Sequence, residues 1–117
     1  MTNGQSFKDL VVWEKSVLLA KMTYTSTAKL PKAEQFGLVS QMNRAVISIA
    51  SNIAEGSKRG TQKEFVQFLR IASGSAAELE TQFIIAQDIF PQVDFHEQMY
   101  LLHEVQKILT TLIRKMK

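Results

Sequence analysis

Five polar side chains, Gln41, Arg44, Ser48, Asn52 and Glu55, recur at spacings of three and four residues, so a helix through them sets all five in one row. Ser75, Glu78 and Gln82 step in similar register further along the chain. If the two segments pair as antiparallel helices about a turn near Lys58 and Arg59, Arg44 comes level with Ser75 to Glu78, and an Arg44–Glu78 ion pair is within reach. Such a set could grip a ligand or supply a catalytic carboxylate. It holds no nucleophile and no metal partner, which favours the alternative: a polar network that fixes helix register or joins subunits while satisfying its own charges. No catalytic residue is assigned.

The only two histidines, His96 and His103, stand two helical turns apart, each followed by a glutamate. Di-iron bundles place Glu three residues before His, and this chain has Val93 and Tyr100 there. A zincin helix needs a second His where Tyr100 stands. Solvated histidines on a helix face are expected, with no metal and no cofactor. A Walker loop, a dinucleotide fingerprint and a Gly-x-Ser-x-Gly elbow are also absent, so the sequence reads as a non-enzyme.

Charge is the remaining chemical signal. The net charge of +3 is modest, but no Lys or Arg occurs from Ile71 to Gln106, where Glu78, Glu80, Asp88, Asp94, Glu97 and Glu104 all fall. In an up-down-up-down bundle one end collects Lys8, Lys58, Arg59, Lys63, Arg114, Lys115 and Lys117, partly offset by Asp9, Glu55 and Glu64. Nucleic-acid phosphate, RNA or DNA, is the natural partner of such a pole, and a ring of subunits would multiply its field. The plainer alternative is a solvated end whose cations complement the dipole of the last helix.

The elements that must position these groups are legible as four helices. Trp13, Val17, Ala20, Tyr24 and Ala28 mark one face of a helix from Asp9 to about Lys29, which Leu30-Pro31 interrupts. Leu38, Met42, Ala45, Ile49 and Ile53, widened by Val39 and Val46, mark a second from near Glu34 to Glu55, with Gly56 as its stop. Thr61 followed by Glu64 makes a capping box for a third, striped by Phe65, Phe68, Ala72, Ala76, Leu79, Phe83, Ala86 and Phe90 and stopped by Pro91. Asp94 caps a fourth that carries Met99, Leu102, Leu109, Leu112 and Met116. Short connections between helices of similar length predict an all-α, antiparallel up-down-up-down four-helix bundle.

Bulk properties agree. The 117 residues suit one domain, residues 1–117, with Met1 to Ser6 expected to be loose. A hydrophobic fraction of 45% is too high for a disordered chain, and 5 Gly with 2 Pro is too little punctuation for many short strands. There is no cysteine to form a disulfide or thiolate site. A polar start and the lack of an apolar run near the roughly 20 residues that span a bilayer make a cytoplasmic location, without membrane, the expectation.

The apolar rows are wider than one core demands. Leu101, Val105 and Ile108 form a second row on helix four; Val11, Leu18 and Met22 lie beside the first row of helix one; helix three adds Val66, Ile71, Ile84 and Ile85. A helix facing one core needs an apolar arc of about 100°. The surplus predicts self-association, the alternative being a thicker monomer core. A second functional reading follows: an interaction scaffold that docks a protein partner, with nucleic acid incidental.

The runs Phe7-Lys8-Asp9-Leu10-Val11-Val12-Trp13, Gln41-Met42-Asn43-Arg44-Ala45, Ser51-Asn52-Ile53-Ala54-Glu55-Gly56 and Ile71-Ala72-Ser73-Gly74-Ser75-Ala76-Ala77-Glu78-Leu79 resemble those of the bacterial intervening-sequence proteins, encoded in insertions within 23S rRNA genes. The resemblance covers nearly the whole chain, with helix four only generically similar. It implies a four-helix subunit assembling as a ring-shaped homopentamer. It also implies kinship with the accessory proteins of diversity-generating retroelements, basic rings that bind nucleic acid and a reverse transcriptase. Ala50 departs from the pattern, since many relatives have proline there, and implies a less kinked second helix. No catalytic residues carry over; Arg44, Asn52, Glu55 and Glu78 transfer as structural candidates.

Overall fold

A computed structural model describes residues 6–116. Its four helices are α1 (Val11–Thr27), α2 (Leu38–Ser57), α3 (Gln62–Ile89) and α4 (His96–Met116), preceded by single 3-10 turns at Phe7–Asp9 and Lys32–Glu34. Each helix packs on its neighbours in sequence and α1 closes on α4, while the diagonal pairs make no close backbone approach among the described residues. The result is an up-down-up-down bundle, elongated to 46 × 20 × 19 Å between Cα extremes. Lys117 and Met1 to Gln5 lie outside the described residues, so the expectation of a loose start bears only on Ser6 here. Ser6 caps the first 3-10 turn, accepting from Lys8 N while Asp9 accepts from Ser6 N.

The core is built from the predicted stripes of α2, α3 and α4. Met42, Val46, Ile49 and Ile53 meet Leu69, Ala72, Ala76, Leu79 and Phe83, and Leu102 and Leu109 close the other side. Phe83 and Phe95 stack with centroids 5.4 Å apart where α3 hands over to α4. Gln87 braces that connection, donating to Val93 O at 2.9 Å and accepting from Phe95 N at 3.0 Å. The second row on α4 joins the core, with Leu101 and Val105 buried and Ile108 half-buried. The thicker-core alternative holds for that helix.

Helix α1 is rotated from its predicted face. Its buried residues are Val12, Ser16, Leu19, Thr23, Ser26 and Thr27, while Trp13, Val17 and Ala20 are half-buried and Tyr24 and Ala28 exposed. Small hydroxyl residues read as polar in a hydrophobic count, yet two of the four satisfy themselves locally: Ser16 donates to Val12 O at 2.7 Å, and the Thr27 hydroxyl lies between Tyr24 O and Asn43 Oδ1 of α2. Gln98 of α4, also buried, donates to Ser26 Oγ and to Met22 O.

Helix boundaries shift for local reasons. Helix α2 starts at Leu38 rather than Glu34, because Gly37 (φ −108°, ψ −107°) breaks the helical path; the Glu34 carboxylate instead accepts from Leu38 N at 3.4 Å. Gly56 does not stop α2. It is helical and buried, and the positive φ of +95° occurs at Gly60. Gly56 is needed for close packing, since a Cβ there would meet Phe68 Cβ at 2.5 Å. Thr61 caps α3 as expected, its Oγ1 accepting from Glu64 N at 3.2 Å and donating to Glu64 Oε1 at 3.0 Å.

Candidate nucleic-acid interface and polar cleft

Topology gathers the basic residues of four separate segments at one end. Lys8 lies in the turn that leads into α1 and packs by α2; Lys58 and Arg59 occupy the α2–α3 loop; Lys63 sits in the first turn of α3; Arg114 and Lys115 sit in the last turn of α4. Gln62 Nε2 donates to Met116 O at 3.1 Å and ties the start of α3 to the end of α4. All six cations are exposed. The seventh predicted member, Lys117, lies outside the described residues.

These cations are not equivalent. Arg59 donates to Glu55 Oε2 at 2.7 Å, and its guanidinium stands 4.8 Å above the Phe68 ring, so part of its charge is already answered. Lys8, Lys58, Lys63, Arg114 and Lys115 form no ion pair among the described residues. Two further cations without an ion pair among the described residues extend the region up the bundle and were missing from the predicted set: Arg70 and Lys107, both exposed. Each lies seven residues from a member of the set, Lys63 and Arg114, which is two helical turns on the same face. That spacing was the available signal, and the two residues flank the interval that has no Lys or Arg.

At the opposite end the connections and the helix turns beside them carry Glu34, Asp88, Asp94 and Glu97 against Lys29 and Lys32. Asp94 Oδ1 accepts from His96 N at 2.9 Å and meets His96 Nδ1 at 2.6 Å. The backbone donor first, then His96 and the Lys29 charge, hold the Asp94 carboxyl below its ordinary value. His103, likewise exposed, faces Glu80, whose carboxylate is kept ionised chiefly by the Gln106 amide at 3.0 Å and then by His103 at 3.4 Å.

The predicted polar row divides in two. Ser48 and Ser75 place their hydroxyls 2.8 Å apart across α2 and α3, and Asn52 Nδ2 donates to Ser48 O at 2.8 Å and Ser48 Oγ at 2.9 Å. Glu55 turns away to Arg59. Gln41, Arg44 and Glu78 line an open cleft of about 230 Å³ with Ala45, Ser48 and Ser75. The Arg44–Glu78 ion pair is not formed, and neither residue pairs with any other among the described residues. The inner half of the row therefore locks α2 to α3, and the outer half leaves two opposite charges open to solvent.

Among the described residues no group of three or more His, Asp or Glu could hold a metal ion, and no helix is long and apolar enough to cross a membrane. A crystal structure of a protein of unknown function from the S23 ribosomal protein family of Bacteroides thetaiotaomicron is similar in fold, with a TM-score of 0.77, 23% identity, and coverage of 88% of this chain and 98% of that one. No curated protein matches. The family model described as 23S rRNA-intervening sequence protein matches residues 8–111, nearly the whole bundle from Lys8 in its leading turn to Thr111 in α4. The chain belongs to the family of 23S rRNA-intervening sequence proteins.

Proposed function

We propose that this protein is a non-enzymatic, self-associating subunit, a homopentamer as the family resemblance implies, whose basic pole binds RNA or DNA through phosphate with little sequence preference. The supporting observation is the convergence of Lys8, Lys58, Lys63, Arg114 and Lys115, exposed and without ion pairs among the described residues, at one end of the bundle. Flexible lysines and arginines on helix ends and a loop suit a phosphate backbone, whereas reading bases needs side chains held against base edges. A closed assembly with its poles on one side would sum their fields.

The test is binding of a labelled single-stranded RNA across a salt series. Affinity should fall linearly on a log–log plot, by about 0.7 per neutralised phosphate contact. The triple substitution K58E/R59E/K63E should abolish binding, and adding R114E should change nothing further. Undiminished RNA binding by the triple variant would refute the basic-pole reading.

A second reading is favoured by the exposed Ile71, Ile84, Ile85 and Ile89 of α3: a scaffold that docks a protein partner, with no physiological nucleic-acid binding. Weak RNA binding with no salt dependence would favour it.

A further inference from the structure

Small residues open a recess where α2 and α3 would otherwise fill their contact. Ala45, Ser48 and Ser75 form its inner wall, and the exposed Gln41, Arg44 and Glu78 stand around its mouth. The space of about 230 Å³ is below the roughly 300 Å³ at which pockets begin to hold drug-sized ligands, so an occupant has to be small.

The inner wall has a hydrogen to give. Ser48 and Ser75 carry two hydroxyl hydrogens, and their mutual contact of 2.8 Å uses one of them, whichever oxygen donates. Asn52 Nδ2 donates to Ser48 Oγ at 2.9 Å, so it supplies a hydrogen and accepts none. One hydroxyl hydrogen is thus left without an acceptor among the described residues, on a wall where Ser75 is only 7% exposed. A ligand oxygen in the recess would take it.

The mouth offers both signs of charge. Arg44 and Glu78 line the same cleft, and neither has an ion-pair partner among the described residues. A simple anion in the cleft would meet Glu78, and a simple cation would meet Arg44. A small zwitterion avoids both conflicts. Its carboxylate takes the guanidinium and the spare hydroxyl hydrogen, and its ammonium takes the Glu78 carboxylate, all as charge-assisted hydrogen bonds. Closing an exposed Arg–Glu pair directly is worth little, so a ligand that holds the two side chains apart forfeits little.

We infer that this cleft binds a free amino acid with a small side chain, its carboxylate on Arg44 and the serine pair and its ammonium on Glu78. The site depends neither on the basic pole nor on self-association: Arg44 lies about 20 Å of helix away from Lys58.

The experiment titrates the labelled full chain with L-alanine and follows its amide NMR signals. Saturable shifts should centre on Gln41 to Ser48 and on Ser75 to Glu78. Acetate and methylammonium, which carry the two charges on separate molecules, should bind at least tenfold more weakly, alone or together. R44Q and E78Q should each weaken alanine binding by about tenfold or more, the loss of one charge-assisted contact, with the helical circular dichroism unchanged because both positions are exposed. The K58E/R59E/K63E chain should bind alanine as the unaltered one does.

The absence of saturable shifts with alanine would overturn the site. Acetate bound as tightly as alanine, with E78Q without effect, would make the cleft an anion site and overturn the zwitterion. Alanine binding that survives both R44Q and E78Q, or that is lost in K58E/R59E/K63E, would place the ligand elsewhere on the bundle and overturn this assignment.

Discussion

A Cβ atom on Gly56 would lie 2.5 Å from the Cβ of Phe68, with Phe65 Cδ1 at 3.1 Å. Real Cβ atoms do not approach so closely, so α2 and α3 would have to part where their connecting loop holds them tightest. Helix propensity alone would make Gly56→Ala favourable by about 1 kcal/mol. The clash reverses the sign, and a net loss of about 2–3 kcal/mol is expected from urea denaturation, as for other overpacked cores. A stabilised variant would show that the two helices can separate here without cost.

Thr23 is fully buried in α1, and its hydroxyl has no hydrogen-bond partner among the described residues. A buried hydroxyl without a partner costs free energy that an isosteric methyl does not. Thr23→Val should therefore stabilise the fold by about 1 kcal/mol, read as a higher midpoint in chemical denaturation at unchanged slope. Destabilisation would mean that the hydroxyl is satisfied in solution.

The Ser48–Ser75 contact offers a double-mutant cycle. Ser75 is 7% exposed and Ser48 also accepts from Asn52, so the three groups form one network. Each alanine substitution should cost about 1 kcal/mol, and the double variant should cost less than the sum, with a coupling of about 0.5–1.5 kcal/mol. Strict additivity would remove the network as the lock between α2 and α3.

Asp94 supplies a pH dependence. Its carboxyl is depressed in the folded state, chiefly by the His96 backbone donor, so the unfolded chain takes up the proton first as pH falls. The stabilisation is fully present above the ordinary aspartate value of about 4 and is lost as pH drops through the folded value below it. Asp94→Ala should lower the melting temperature at pH 7 relative to the unaltered chain, and the two curves should converge below about pH 3. A difference that persists unchanged at low pH would contradict the role of the ionised cap.

The bundle was legible where large apolar side chains step along a helix. The run from Phe65 to Ala86 reads correctly because aromatic and branched residues dominate it, and the Thr61 cap reads correctly because hydroxyls bond predictably to the third residue on. Helix α1 was misread because Ser16, Thr23, Ser26 and Thr27 fill its buried face, and a hydrophobic count cannot tell a self-satisfied hydroxyl from a solvated one. Gly56 was misread for a related reason: a glycine can serve a positive φ or a close approach, and only the packing decides which. The basic pole could be drawn from topology because it depends only on which segments share an end. That Arg59 is partly answered by Glu55 and Phe68, and that Arg44 and Glu78 remain apart, are matters of side-chain placement that spacing does not encode.

With α1 leaving from the basic pole and α4 returning to it, the backbone enters and exits the bundle beside its cations. Affinity tags, dyes and fusion partners attached beside Ser6 or Met116 would sit over the surface proposed to meet phosphate. Reporters belong at the opposite end, in the Lys32–Glu34 turn or near Pro91. A circular permutant opened there would free the pole from both chain ends.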